Sequence, residues 1–339
     1  MKKKATSSDV AWHAGVSQST VSRALSNSSQ VSEAMREKVR KVAKELNYTV
    51  DKNASNLRSQ HSNTIALLLF KDTTNNDSVI NPFFLALLSS ITNACADKGY
   101  DLLISFQQNS DDWHADFDVS NKADGLIFLG YGDYQDYKAR IAQLITQGTK
   151  FVCWGAPSED LPFVSIGCDN FKGSEEITEH LIQQGKQHIA FLGSSSSKAP
   201  EFFERYKGYC QALVNNNIVI NENLKFDALY TEKSGYEAAK KLINSGERFD
   251  AICTACDLIA IGAMRALKEH KIAIPSQVAV VGFDDISIAN YSSPPLTTVR
   301  QNTKLAGELL VSSLIELLNN KKTSIELIPP ELIIRKSCH

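Results

Sequence analysis

A chain of 339 residues with 43% hydrophobic content is long enough for two or three domains with real cores. No apolar run approaches the length of a membrane span, and no apolar segment follows the basic Met1-Lys-Lys-Lys4 start. Seven scattered cysteines, an odd count, argue against a disulfide framework; together these features exclude a membrane-spanning, secreted or disulfide-stapled protein and point to the cytoplasm.

The net charge of −2 conceals a division. Residues 1–60 hold eleven Lys and Arg against five Asp and Glu, so the remainder is acidic. A basic head on an acidic body suits a polyanion-binding module attached to a body of different purpose. Within that head, Thr6 and Asp9 have capping-box spacing and start a helix whose apolar face is Val10, Ala11 and Ala14. Gly15 permits the tight turn, and Ser17 caps a second helix carrying Val21, Ala24 and Leu25. Two short helices around a Gly-containing turn make a helix-turn-helix, with Gln18, Ser19, Thr20, Ser22 and Arg23 on the solvent face. The competing interpretation is an ordinary αα-hairpin with a polar surface. A third helix is expected from its cap Ser32 to about Leu46, with Arg36, Lys38, Arg40, Lys41 and Lys44 either solvated or facing phosphates.

Residues 49–63 read as a polar linker in which 53–58 have helical pattern, although so short a helix is unstable alone. From Thr64 onward, apolar runs at 65–70, 102–106, 126–129, 151–154, 189–192, 251–254, 278–283 and 332–334 read as buried strands. Amphipathic stretches between them end at Gly99, Gly148, Gly185 and Gly246, each a candidate helix stop. Alternating βα units imply parallel sheets covered by helices, and so many strands imply two lobes with a ligand cleft between them. Residues 109–121 fit neither element. The serines after Gly193 read as a plain loop, because no Gly-x-x-x-x-Gly-Lys pattern accompanies them.

Catalysis finds no support. Cys253-Thr-Ala-Cys256 has metal-pair spacing, yet no second Cys or His pair completes a zinc set, and the seven His are scattered. Nucleophile-elbow, zincin and dinucleotide fingerprints are absent from the sequence. No catalytic residue, cofactor or metal is expected.

In order along the chain, Asp9-Val-Ala, Ala14-Gly-Val-Ser, Thr20-Val-Ser-Arg23, Arg36-Glu-Lys-Val39 and Glu45-Leu-Asn-Tyr48 occupy the head. Asn81-Pro-Phe-Phe84, Ala123-Asp-Gly-Leu-Ile127, Arg205-Tyr-Lys-Gly-Tyr209, Asp257-Leu-Ile-Ala-Ile-Gly262, Val280-Val-Gly-Phe-Asp-Asp285 and Pro295-Leu-Thr-Thr-Val299 follow in the body. In this ordered set the chain resembles the lactose-repressor (LacI/GalR) family of bacterial transcription regulators. The resemblance implies an all-α helix-turn-helix DNA-binding head over 1–50, a hinge helix within 51–62, and a periplasmic-binding-protein-like α/β body over 63–339. That body would have two parallel-sheet lobes, one at about 63–163 and 293–325, the other at about 164–292 and 326–339.

By the same resemblance a homodimer binds operator DNA, Gln18, Ser19 and Arg23 read bases, and Thr6, Ser17, Ser22 and Tyr48 lie beside them. Asn53, Ala54 and Leu57 belong to the hinge, where Leu57 wedges into the minor groove. The proline common before the hinge is Val50 here. A small sugar would sit between the lobes against Phe83, Phe84, Trp154, Arg205, Tyr230, Asp257 and Asp284. The rival assignments are core packing for Phe83 and an ion pair for Arg205 with Asp284. The family's Asn-Asp pair is Cys256-Asp257 here, so one amide donor is missing. The expected function is a repressor of carbohydrate-utilisation genes, with a sugar-binding protein or sugar enzyme as the alternative. Without terminal leucine heptads a dimer is expected rather than a coiled-coil tetramer.

Overall fold

The computed structural model describes residues 5–49, 61–69, 81–106, 112–130, 134–156, 161–196 and 199–339. The chain divides into two compact units, residues 1–62 and 63–339. In the first, α1 (Ser7–Ala14), α2 (Gln18–Leu25) and α3 (Glu33–Glu45) form the head. The capping box is complete: Thr6 N donates to Asp9 Oδ2 at 2.8 Å, and Asp9 N donates to Thr6 Oγ1 at 3.3 Å. Gly15 ends α1 at φ +66°, a left-handed conformation that glycine adopts without penalty. Ser17 caps α2 by accepting from Thr20 N at 3.2 Å. Ser32 stands at the N-cap of α3 but makes no capping bond through its side chain, unlike the role expected of it. Val10, Ala11, Ala14, Val21, Ala24, Val31, Val39 and Ala43 close a small core, which Tyr48 joins from the edge.

The second unit holds two parallel sheets. The first has strand order β11-β5-β4-β3-β1-β2, from β1 (Thr64–Leu69), β2 (Asp101–Phe106), β3 (Gly125–Leu129), β4 (Phe151–Trp154), β5 (Val164–Cys168) and β11 (Glu326–Ile328). The second has order β7-β6-β8-β9, from β6 (Ile189–Leu192), β7 (Lys225–Phe226), β8 (Ala251–Thr254) and β9 (Ala279–Val281). Strands β10 (Thr298–Arg300) and β12 (Glu331–Ile333) form a separate antiparallel ribbon. Helices α4 (Pro82–Asp97), α5 (Tyr134–Gln147), α6 (Asn170–Gln183), α7 (Pro200–Asn215), α8 (Glu232–Asn244), α9 (Asp257–Glu269), α10 (Ser287–Tyr291) and α11 (Thr303–Leu318) complete the unit. The expected lobe limits shift, because β5 and β11, assigned from sequence to the second lobe, pair with each other in the first sheet.

The central strands β3, β6 and β8 are buried along their whole length and β1 along all but its first residue, as the continuous apolar runs require for sheets covered on both faces. Gly99, Gly148, Gly185 and Gly246 all follow helices at φ between +77° and +82°, so the helix stops lie where the glycines mark them. Residues 109–121, which fitted no element, contain one π-helical turn, His114–Val119. Among the described residues, no helix is long and apolar enough to cross a membrane.

Candidate DNA-binding face and effector cleft

On the head, Ser17, Gln18, Ser19, Ser22 and Arg23 are exposed on one short helix. Ser17 Oγ lies 2.8 Å from Ser19 Oγ and 2.9 Å from Thr20 Oγ1, and Gln18 Nε2 donates to Ser8 Oγ across to α1. These bonds hold the start of α2 as one polar surface. Thr6 is placed differently from a direct reader: its hydroxyl donates to Asp9 Oδ2 at 2.8 Å within the cap. Tyr48 is half-buried, and its backbone N–H donates to Ala43 O at 2.8 Å, so it anchors the end of α3. On α3, Arg36 and Arg40 share Glu33, whereas Lys38, Lys41 and Lys44 are simply exposed. The sequence reading passed over Trp12, which is 84% exposed on α1 and lines a shallow depression with Gly15, Val16 and Ser17. An unburied indole beside Ser17, at the start of α2, is a large apolar contact surface. The expected hinge residues Asn53, Ala54 and Leu57, with Val50, lie outside the described residues.

In the body the candidate cleft residues gather at the C-terminal ends of strands, where α/β folds bind ligands. Trp154 ends β4 and stacks at a tilt on Phe83, ring centroids 5.8 Å apart, with Phe84 edge-on to Phe83 at 5.3 Å. All three aromatic rings are buried, and Phe83 packs in the main core as its rival assignment anticipated. Arg205, on α7, is 1% exposed. Its Nε donates to Asn170 Oδ1 at 2.8 Å, its Nη1 lies 3.2 Å from Asp284 Oδ1, and its guanidinium covers the Phe283 ring at 3.8 Å. Gln301 Nε2 donates to the same Asp284 oxygen at 2.6 Å. The interlobe ion pair considered for Arg205 and Asp284 is thus a pair inside a larger buried network, and both partners belong to the side of the second sheet. Asp284 sits at φ +111°, a backbone region that side-chain-bearing residues rarely adopt, at a cost of about 1–3 kcal/mol. Such strain persists where the surroundings over-determine it, here by holding the carboxylate against Arg205.

Asp257 differs from its expected role. It is 0% exposed, Thr298 Oγ1 donates to its Oδ1 at 2.5 Å, and Ile286 N donates to its Oδ2 at 2.8 Å. It therefore ties the start of α9 to the loop after β9 and presents no surface to a ligand in this conformation. Burial, then the nearby Asp284 charge, pushes its carboxyl well above the usual carboxylate range. Tyr230 is half-buried just before α8. Cys256, in place of the family's Asn, is fully buried at the N-cap of α9 and makes no capping bond through its side chain. Cys253 is likewise buried, its thiol pushed up to about 11 by desolvation, so this pair is packing rather than reactive chemistry.

Glu201 was not singled out from sequence. It lies one turn before Arg205 on the same face of α7, and its Oε1 accepts from Ala156 N at 3.3 Å across the cleft. Burial raises its pKa against the opposing pull of backbone N–H groups and Arg205. Gly155 lies beneath it at φ +141°, a backbone conformation that favours glycine, and a Cβ there would also press on Glu201 Oε1 at 2.5 Å. Asn170 and Gln301, the other members of the network, were also invisible from spacing, being 35 and 17 residues from their partners.

Comparison with known proteins agrees with this construction. The profile for "Bacterial regulatory proteins, lacI family" matches residues 6–51, and that for "Periplasmic binding protein-like domain" matches 178–338. The ribose operon repressor of Escherichia coli (strain K12) is 30% identical over 92% of each chain. The chain belongs to the LacI family. The HTH-type transcriptional regulator RegA of Clostridium saccharobutylicum is 31% identical over 97% of this chain and 98% of its own. Among solved structures, a lac repressor dimer bound to operator and the anti-inducer ONPF has a TM-score of 0.83 at 27% identity, covering 99% of each chain. A CelR–cellobiose complex has a TM-score of 0.73 at 28% identity, covering 98% of this chain and 99% of that one. This LacI-family chain is a DNA-binding transcriptional regulator, with a helix-turn-helix head and a two-lobed α/β body.

Proposed function

We propose that this LacI-family protein represses carbohydrate-utilisation genes as a homodimer on a near-palindromic operator and leaves that operator when a small sugar enters the cleft. Its output is DNA binding rather than catalysis, and it works in the cytoplasm. The observation that carries the sugar reading is the Arg205–Asn170–Asp284–Gln301 network at the strand ends of the second sheet, with the Phe283 ring against Arg205. Directional donors and acceptors next to an aromatic surface are what a polyhydroxylated ring requires, hydroxyls on one side and C–H faces on the other. Sugar-bound relatives support the same class of ligand. Gln18, Ser19 and Arg23 read bases, while Ser17 and Ser22 flank them. Operator release follows from differential affinity of two lobe arrangements for the ligand.

The test is fluorescence anisotropy on a labelled palindromic operator, repeated over a salt series and across a panel of mono- and disaccharides. Binding should weaken steeply with salt, and one sugar should lower operator affinity. Salt-insensitive binding would remove the DNA reading. Operator affinity unmoved by every sugar that shifts the thermal midpoint of the body would remove the effector reading.

A further inference from the structure

The fold brings together three metal-ligating side chains that the sequence scatters. His180 lies in the last turn of α6, while Cys338 and His339 follow β12, and their ligand atoms all lie within 4.8 Å of one another. His180 Nε2 is 3.5 Å from Cys338 Sγ, and Cys338 Sγ is 3.5 Å from His339 Nδ1. Spacing alone had dismissed zinc, because no second pair accompanied Cys253 and Cys256; this group joins residues 158 positions apart.

We propose that His180, Cys338 and His339 form a site for one zinc-class divalent ion, with a solvent molecule as the fourth ligand. In a tetrahedral zinc site, Zn–S of about 2.3 Å and Zn–N of about 2.0–2.1 Å place sulfur and nitrogen about 3.6 Å apart. Both sulfur–nitrogen distances here meet that value. Cys338 Sγ donates its one proton to Thr297 Oγ1 at 3.2 Å, which leaves the sulfur lone pairs to the two imidazoles. The burial gradient suits an open three-ligand site: Cys338 is buried, His180 is half-buried and His339 is exposed. The site would join the last turn of α6 to the segment in which Ser337 Oγ donates to Val280 O and accepts from Thr297 N. Because α6 begins at Asn170, the ion would fix the far end of the helix that positions Arg205.

The experiment uses the full chain, stripped with chelator and titrated with Co²⁺, then with Zn²⁺ in competition. One Co²⁺ per chain should produce a near-ultraviolet thiolate-to-cobalt charge-transfer band that Zn²⁺ abolishes. Cys338→Ser should eliminate the band, and His180→Ala and His339→Ala should each weaken Zn²⁺ binding at least tenfold. If Cys338→Ser fails to fold, the exposed His339→Ala variant carries the test through its Zn²⁺ affinity. A missing thiolate band, a band that survives in Cys338→Ser, or Zn²⁺ affinity unchanged by His339→Ala would each overturn the proposal.

Discussion

Arg205 and Asp284 show how a side chain's surroundings alter what its removal should do. From sequence, Asp284→Ala is a clean probe of ligand response. In the structure both side chains are almost wholly buried, and truncating Asp284 strands the guanidinium beside Phe283 without its carboxylate. Breaking one side of a buried pair costs about 3–5 kcal/mol, so urea denaturation should show that loss in Asp284→Ala. Wild-type stability in the variant would mean the pair is solvated. Glu201 offers a second residue-scale test. Its folded pKa is raised above the ordinary 4.5 chiefly by burial, so the folded state holds its proton to higher pH than the unfolded chain does. That contribution to stability is complete below the ordinary value and is lost as pH rises through the folded pKa. Glu201→Gln cannot titrate, so its stability relative to wild type should increase as pH climbs above 4.5 and then level off. A constant difference across that range would show that Glu201 is ionised at its usual value in the fold.

At the scale of elements, the body depends on helix pairs that approach more closely than side chains normally allow. A Cβ on Gly208 of α7 would lie 2.1 Å from the Phe171 carbonyl oxygen of α6, a backbone atom that cannot swing away. Gly208→Ala should force these helices apart and cost about 1–3 kcal/mol, read as a lower urea midpoint with unchanged slope. A neutral outcome would show that the α6–α7 contact is loose. These two helices carry Asn170 and Arg205, so the same variant should also weaken ligand binding. Such approaches explain which parts of the architecture could be read in advance. The glycine stops and the buried strands were legible because a positive φ and a doubly covered sheet each impose a local residue type. Strand β7 has two residues and β10 and β11 three each, too few to display any period. Strand β5, Val-Ser-Ile-Gly-Cys, alternates rather than running apolar, and the π-helical turn does not follow the 3.6-residue repeat. In the cleft, charged and aromatic residues could be identified one by one. Their pairing with Asn170 and Gln301, and the inward role of Asp257, depend on tertiary neighbours that no spacing encodes.

For the whole molecule, the head reads DNA and the body holds the cleft, so regulation requires one free energy shared between two compact units. Glu201, in bonding Ala156 across the cleft, is a contact that a ligand between the lobes must keep or replace. Whatever route the coupling follows, linkage makes it reciprocal. If saturating effector weakens operator binding to the dimer by some factor, operator must weaken effector binding at its two equivalent sites by factors whose product is that same value. Couplings of this kind are typically 1–3 kcal/mol, or about 5- to 150-fold, well within calorimetric reach. Titrating the sugar found by screening into the protein, first alone and then saturated with operator duplex, should give per-site dissociation constants that differ by the square root of the factor seen in anisotropy, since two equivalent sites share one operator. A scrambled duplex should leave the sugar affinity where it was. Equal sugar affinities with and without the operator would show that the sugar occupies the protein without controlling it, and the effector would have to be sought in another chemical class.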